Sequence, residues 1–180
     1  KMKNFSYICR IVLLIVCLST GQLSAQTSCR FIMDLQGSWA FELNAKNEGI
    51  KDKYWNKVLV DNVILPGTTD SNQKGDKNIS MTETTFLSRR FKYEGAAWYS
   101  REVIIPEAWK NKKIFLFLER TRPTIVWVDG VKVGECKYLS TPHRYDLTSY
   151  LTSGKHKITI RVDNGVSIPQ QIRSSSHACT

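Results

Sequence analysis

The chain has 180 residues and a formal net charge of +10, from 26 basic and 16 acidic side chains. The basic residues are scattered through strand-like segments and form no tract with interleaved aromatic residues, so we interpret the charge as a solvated basic face and expect no nucleic-acid partner. This length accommodates one domain with a sizeable core and leaves little room for a second.

The N-terminus has the layout of a secretory signal peptide. Two lysines and Arg10 precede an apolar stretch at residues 11–18, and Ala25 supplies the small residue at a cleavage site. The apolar stretch is too short to span a bilayer as a helix. We therefore predict that residues 1–25 are a signal peptide and that residues 26–180 are exported, periplasmic or extracellular, with no membrane association after cleavage. A buried N-terminal helix is the alternative.

Three cysteines remain after this cleavage, namely Cys29, Cys136 and Cys179. Their spacing matches no zinc motif, and the chain has no glycine-rich phosphate loop, so we expect no metal and no cofactor. An exported compartment allows one cysteine pair to oxidise, and the sequence does not select which pair.

Period-two alternation of apolar and polar side chains dominates the mature chain, and this pattern indicates strands. Residues 38–43 alternate around Trp39 and predict a half-buried strand. Residues 57–65 predict one or two short strands, and residues 98–105 predict another that stops at a proline. Residues 106–110 allow at most one helical turn.

The second half of the chain supplies the remaining predicted strands. Residues 114–118 are apolar at every position and predict a central strand packed on two sides. Asp129 and Gly130 lie between two apolar runs, and because both central positions of a type I′ turn need positive φ, this pair predicts a hairpin. Residues 145–148 predict a short strand. Residues 157–162 alternate and predict a last strand with one wet face.

Seven or more short strands, with turn signals at intervals of about ten residues, are typical of a β-sandwich. Trp39 and Trp127 lie within strand patterns and are expected in its core. Residues 67–97 break the rhythm because they lack evident strands, and loops of roughly 30 residues are usually functional or disordered. We expect this segment to be the least ordered part of the mature domain, the alternative being an ordered pair of additional strands.

Six segments in a fixed order carry a resemblance to a known family. They are residues 35–41 (LQGSWAF), 93–109 (YEGAAWYSREVIIPEAW), 115–120 (FLFLER), 126–134 (VWVDGVKVG), 142–148 (PHRYDLT) and 158–164 (ITIRVDN). In this order they resemble the N-terminal sugar-binding domain of family 2 glycoside hydrolases, especially the β-glucuronidase and β-galactosidase branches. The resemblance extends over residues 34–170.

The resemblance implies an all-β fold, a jelly-roll-like (galactose-binding-like) β-sandwich. In the family this domain precedes an immunoglobulin-like domain and a catalytic (β/α)8 barrel, which carries both catalytic glutamates. We therefore interpret residues 26–180 as the sugar-binding domain of an exported β-glycosidase, ending before those two domains. Its expected partners are carbohydrate and the catalytic barrel of the parent chain.

The carboxylates of the chain agree with the absence of a catalytic role. Retaining glycoside hydrolysis needs two carboxyl groups roughly 5–5.5 Å apart. Candidate pairs, such as Glu102 with Glu107 or Asp163 with Glu135, lie on strands or surface turns, where a solvated carboxylate is the simpler interpretation. We expect no catalytic residue in this chain.

Five residues are candidates for carbohydrate contact: Trp98, Tyr99, Arg90, Asp163 and Asn164. The two aromatic residues adjoin the long 67–97 segment, and an alternating strand turns one of them away from the core. Arg90 belongs to that segment. Asp163 and Asn164 end the last strand, where the resemblance implies that the chain turns toward the active site. Packing of both aromatic side chains inside the sandwich is the alternative.

Two other functions remain open from the sequence. The first alternative is a free-standing carbohydrate-binding module. The second is a structural or partner-binding sandwich without sugar contact.

Overall fold

A computed structural model describes residues 30–79 and 89–165. The chain divides into two compact units, residues 1–34 and residues 35–180. The described residues of the first unit form no helix or strand, so the folded domain is built by the second.

Several sequence predictions fall outside the described residues. The predicted signal peptide lies there, as do Cys29 and Cys179, so export and disulfide pairing stay predictions. Cys136 is a free thiol. Within the described ranges no helix is long and apolar enough to cross a bilayer.

Ten strands and two single-turn 3-10 helices make up the regular structure of the described residues. The strands are β1 (Gly37–Asn44), β2 (Asp61–Leu65), β3 (Asp76–Lys77), β4 (Phe91–Lys92), β5 (Ala96–Ile105), β6 (Phe115–Leu118), β7 (Thr124–Val128), β8 (Val131–Cys136), β9 (His143–Asp146) and β10 (Gly154–Asp163). The 3-10 helices are Tyr54–Asn56 and Glu107–Trp109. The predicted all-β sandwich is confirmed.

One six-stranded antiparallel sheet dominates the fold, in the order β2-β1-β5-β10-β7-β8. Strands β6 and β9 form a second, two-stranded sheet, and β3 pairs with β4. β10, the last of these strands along the chain, lies at the centre between β5 and β7. Residues that pair directly across a ladder, or that lie two apart on one strand, share a face of the sheet.

The inner face of the large sheet is the side that carries Phe41, Ile160 and Val126, all buried. It packs against the small β6–β9 sheet. Contact between the two sheets is visible at Thr124, whose Oγ1 lies 2.6 Å from His143 Nδ1 and 2.7 Å from the Tyr145 hydroxyl oxygen. Apolar burial on this face forms the sandwich core.

His143 is fully buried in this core and has a partner at each ring nitrogen. Its Nε2 donates to the carbonyl oxygen of Tyr138 at 2.7 Å. Its Nδ1 then accepts from the Thr124 hydroxyl, which in turn accepts from Tyr145. Because a buried polar group is expensive only when it lacks a partner, this network explains a histidine in an apolar core. His143 is therefore a structural residue.

The outer face of the large sheet carries a second apolar cluster. The chain between β1 and β2, residues 45–60, crosses this face and places its aromatic side chains on Trp98 and Trp127. The Trp55 ring stacks on Trp127 at a centroid distance of 5.1 Å and an interplanar angle of 8°. Tyr54 contacts the Trp98 ring at 5.6 Å. The large sheet is thus covered on both faces at this end, and the core prediction for Trp127 is confirmed.

The hairpin predicted at Asp129-Gly130 is confirmed. These two residues join β7 to β8 with φ of 48° and 84°. Both values lie in the left-handed region that the primed turn requires. A Cβ on Gly130 would lie 2.6 Å from Asn56 Oδ1, so the turn also needs glycine for its contact with the 45–60 segment.

The prediction of a central, two-sided strand at residues 114–118 is wrong. β6 pairs with β9 in a two-stranded sheet, which buries Leu116 and leaves Phe115 and Phe117 39 % and 57 % exposed. The guanidinium of Arg144 lies 3.8 Å from the centroid of the Phe115 ring and shields part of that exposed apolar surface. The central strand is β10 instead.

The prediction that the last strand has one solvent-exposed face is also wrong for the second half of that strand. Thr159 is 1 % exposed and Arg161 is 7 % exposed, although both lie on the outer face. They are buried because the 45–60 segment covers that face, and strand alternation carries no information about such a cover. Of residues 57–65, for which one or two strands were predicted, only Asp61–Leu65 form a strand, β2, and residues 57–60 belong to the covering segment.

The 67–97 segment is described only in part. Its described residues include β3 and β4, two residues each, and the start of β5. Residues 80–88 lie outside the described ranges, so the expectation of low order stays a prediction.

Candidate functional site

The two aromatic residues predicted to contact sugar lie on opposite faces of β5. Trp98 is 0 % exposed, closed in beneath the 45–60 segment, so no sugar reaches its ring in this structure. Tyr99 points to the inner face and meets Phe41 edge-to-face at 5.0 Å. Burial raises the pKa of Tyr99 to about 12, which keeps its hydroxyl protonated at neutral pH. Both side chains pack inside the fold, in agreement with the structural alternative.

The predicted contacts at the end of β10 belong to a group of polar residues that we call the strand-end cluster: Arg161, Asp163, Asn164, Tyr93, Asn44 and Asn47. Arg161 Nη2 donates to Asp163 Oδ2 at 2.6 Å and to Asn47 Oδ1 at 2.6 Å. The side chains of Arg161 and Asp163 are only 9 % and 7 % exposed. A buried ion pair of this kind is a structural element whose partners depend on each other.

Asn164 is held equally tightly within the strand-end cluster. Its Oδ1 accepts from the backbone N–H of Gly95 at 2.8 Å, and its Nδ2 donates to the carbonyl oxygen of Tyr93 at 3.0 Å. The Tyr93 hydroxyl accepts from the backbone N–H of Asn44 at 2.9 Å and donates to the carbonyl of Ala96. The cluster therefore ties together the adjoining ends of β1, β5 and β10. Arg90, the fifth candidate, is exposed and lies just before β4, apart from it.

A second candidate site, the sheet-face cleft, lies on the outer face of the large sheet beyond the aromatic cover. Its volume is about 470 Å³. Seven polar residues line it, and four adjacent strands each contribute at least one. They are Ser38 (β1), Asn62 (β2), Ser100, Arg101 and Glu102 (β5), Lys157 (β10), and Lys57 from the segment before β2. Ala40 and Leu59 provide apolar floor. Cavities of roughly 300–1,000 Å³ with a few convergent polar groups are the size of small-ligand sites.

The charged residues of the sheet-face cleft include Lys157 and Glu102. These two residues lie directly opposite each other on the neighbouring strands β10 and β5. Lys157 Nζ donates to the carbonyl oxygen of Lys57 at 2.6 Å. Partial burial lowers the pKa of Lys157, against the opposing influence of the Glu102 charge. The Glu102 carboxylate also holds Lys155 Nζ at 2.8 Å. With Lys57 and Arg101 also in its lining, the cleft has three basic residues and one carboxylate, Glu102.

Sequence reasoning missed the sheet-face cleft. Asn62, Glu102 and Lys157 look like ordinary solvent-facing positions of three separate strands. Only the pairing of Asn62 with Ala40, and of Lys157 with Glu102, shows that they share one surface. The available signal was the polar half of each alternating pattern, which marks a shared face once the strand order is known.

The carboxylates weighed as catalytic candidates are engaged in separate ion pairs. Glu107 binds Lys110 at 3.2 Å, and Glu135 binds Lys132 at 2.9 Å. A hydrogen bond from Ser153, followed by one from Lys110, lowers the pKa of Glu107. The hydrogen bond from Lys132 lowers the pKa of Glu135 in the same direction. A general acid for glycoside hydrolysis needs the opposite shift, so these groups suit a solvated face.

Metal binding finds no support in the described part of the chain, where His, Cys, Asp and Glu side chains form no group of three placed to hold an ion.

The described residues form an antiparallel β-sandwich with a polar cleft on one sheet. Residues 32–171 match the family model for the sugar binding domain of glycosyl hydrolases family 2. The chain belongs to this family, and the resemblance seen in the sequence is confirmed.

Relatives of the chain include a β-glucuronidase of Paenibacillus borealis, 28% identical over 140 residues, which cover 77% of this chain and 22% of that protein. A β-galactosidase of Thermoanaerobacter pseudethanolicus is 33% identical over 86 residues, 44% of this chain and 12% of that protein. Among solved structures, the β-glucuronidase of Ruminococcus gnavus superimposes with a TM-score of 0.62 at 21% identity, over 77% of this chain and 22% of that one. The chain thus spans about a fifth of such relatives.

Proposed function

We propose that this chain is the N-terminal sugar-binding domain of a larger, exported family 2 β-glycosidase that hydrolyses O-glycosyl bonds. The observation that carries the proposal is the family match over residues 32–171. The names of the relatives support it, because the matched region is 22% of the Paenibacillus borealis β-glucuronidase. In the parent protein the domain braces a catalytic barrel and shapes the rim of its sugar site.

The catalytic step is assigned to the barrel and not to this domain. Among the described residues, the four candidate carboxylates are held in four separate ion pairs, with Lys155, Lys110, Lys132 and Arg161. A nucleophile and an acid/base must instead face one scissile bond from opposite sides. The ion-paired arrangement supports an accessory role.

The first prediction is that residues 26–180 alone do not hydrolyse 4-nitrophenyl β-D-galactoside or β-D-glucuronide. Release of nitrophenol should stay at the rate of buffer, because the candidate carboxylates in the described part of the chain are held in separate ion pairs and do not face one glycosidic bond. The matched control is the protein encoded by the whole reading frame, which should turn over at least one β-linked substrate.

Two outcomes would contradict the proposal. Turnover by residues 26–180 that a point substitution in this domain abolishes would place catalysis here. A whole reading frame that encodes no barrel after this domain would contradict the proposal that the domain is part of a larger glycosidase.

Export is tested separately. Mass spectrometry of the protein recovered outside the cytoplasm should show an N-terminus at Gln26, since cleavage is expected after Ala25. Recovery of an uncleaved chain from the cytoplasm would overturn this part of the proposal.

A free-standing carbohydrate-binding module is the second candidate function. The sheet-face cleft favours it, because all of its lining residues belong to this domain. The whole reading frame distinguishes the two, since a module of this kind needs no catalytic barrel.

A further inference from the structure

We propose that the sheet-face cleft binds one pyranose ring of a glycan, with Lys157, Asn62 and Glu102 as its polar contacts. The proposal rests on the proposed sugar-binding function and deepens it. It places the sugar on the outer face of the large sheet, away from the strand-end cluster that the sequence favoured.

The shape of the cleft suits a ligand of that size. Its volume of about 470 Å³ lies within the roughly 300–1,000 Å³ typical of small-molecule sites. Four of its polar side chains stand on four hydrogen-bonded strands, so their spacing is set by ladder geometry and not by loops. Sites built on strands are held more precisely than sites on loops, which lowers the entropy lost when a ligand binds.

The cleft offers donors and acceptors close together. The Lys157 ammonium has three N–H donors, one of which is directed at Lys57 O. Glu102 supplies carboxylate oxygens that only accept, and the Asn62 amide supplies both a donor and an acceptor. Vicinal hydroxyl groups on a pyranose ring donate and accept at adjacent positions. A sugar can therefore donate to Glu102 while it accepts from Lys157.

Other ligand classes fit the same walls less well. A compact anion would gain from the basic residues of the lining but would offer no hydrogen-bond donor to Glu102. An apolar ligand would take Lys157 and Asn62 out of water without replacing their hydrogen bonds, which is unfavourable. A polyhydroxylated ring satisfies both charges.

The floor of the cleft provides the apolar contact that a sugar ring also needs. Ala40 lies between Ser38 and Asn62 on the outer face, and the exposed side chain of Val58 also lines the cleft. The C–H groups of a pyranose ring can pack on these two side chains while its hydroxyl groups meet the polar walls. Trp98, although nearby in sequence, plays no part because it is buried beneath the 45–60 segment.

The test is a titration of the purified chain followed by NMR of its backbone amides. Methyl β-D-galactoside is the probe, with methyl β-D-glucuronide as a parallel arm that shows whether a carboxylate on the ring is preferred. Glycerol at equal concentration controls for unspecific hydroxyl effects. We expect saturable shifts at residues 38–40, 58–62, 100–102 and 157, and none with glycerol.

Variants connect the binding to the named side chains. Asn62→Ala and Lys157→Ala should each weaken binding about tenfold, as the loss of a strong hydrogen bond predicts. Lys110→Ala is the matched control, because this exposed lysine pairs with Glu107 and lies outside the cleft, and its affinity should equal that of the unchanged chain. Unchanged amide shifts away from the cleft verify that each variant is folded.

Two results would overturn the inference. If saturable shifts appear at residues 93–95 and 163–165 instead, the domain binds sugar at the strand-end cluster, and the proposed sugar-binding function survives without this site. If a folded chain shows no saturable shift with either glycoside, the cleft is not a saccharide site, while the parent enzyme is still tested by its own activity.

Discussion

Replacing Trp127 by alanine should destabilise the domain by about 3–5 kcal/mol, the range for truncating a buried large aromatic side chain. Trp127 is 4 % exposed and lies between the ring of Trp98 and the stacked ring of Trp55, each at a centroid distance of 5.1 Å. Its loss removes a contact shared by the sheet and by the segment that covers it. The measurement is the free energy of unfolding from urea denaturation.

Trp109→Ala is the matched control for this substitution. Trp109 ends a single-turn 3-10 helix and is only half-buried, so its removal should lower the free energy of unfolding much less. A loss below roughly 1 kcal/mol for Trp127→Ala would show that the 45–60 segment does not hold this residue in a core.

Asp163→Ala should lower the free energy of unfolding by about 3–5 kcal/mol, the range for breaking a buried ion pair by removing one partner. The substitution leaves the Arg161 guanidinium buried without its carboxylate. It also removes the acceptor of the Gly165 backbone N–H, which Asp163 Oδ1 holds at 2.8 Å. Thermal and urea unfolding should both show the loss.

The double variant Arg161→Leu/Asp163→Ala tests whether the unpaired Arg161 charge causes this loss of stability. It removes the uncompensated charge, so it should recover part of the stability lost in the single variant. Glu107→Gln is the control on an exposed pair and should unfold at the same urea concentration as the unchanged domain. A single variant as stable as its parent would mean that the Arg161 charge reaches water.

The sequence predicted those parts of the fold that local chemistry determines. Asp129 and Gly130 specify their turn through backbone conformation alone, and the structure has both in the left-handed region. The Trp39 strand follows from alternation, which reports burial on the inner face. The burial of Trp127 follows from its place in an apolar run beside the hairpin. These features needed no knowledge of which strands are neighbours.

The sequence predictions were wrong where burial depends on the order of the strands in the sheet or on the segment that covers the sheet. Five apolar residues at 114–118 look like a central strand, yet β6 lies in a two-stranded sheet and exposes Phe117. Arg161 looks solvent-facing in an alternating strand, yet the segment that holds Tyr54 and Trp55 buries it. A period of two residues cannot reveal a loop that crosses the sheet from another part of the chain.

The candidate sites also differ in whether local sequence or strand order brings their residues together. Trp98 was a candidate sugar contact because it adjoins the 67–97 segment, and Asp163 because it ends the last strand. The structure has both buried, one under aromatic rings and the other on Arg161. The sheet-face cleft joins positions up to 119 residues apart, from Ser38 to Lys157. No local motif marks the cleft, because its residues are brought together only by the strand order β2-β1-β5-β10.

The central place of β10 also dictates when the domain can fold during synthesis. While residues 154–163 are still to be translated, β2-β1-β5 and β7-β8 are two separate half-sheets with no strand between them. Each half then presents an open edge, on β5 and on β7, whose unpaired N–H and C=O groups are templates for pairing with another chain. A nascent polypeptide with this strand order exposes both edges until β10 has been synthesised, and unpaired edges of this kind are prone to intermolecular aggregation.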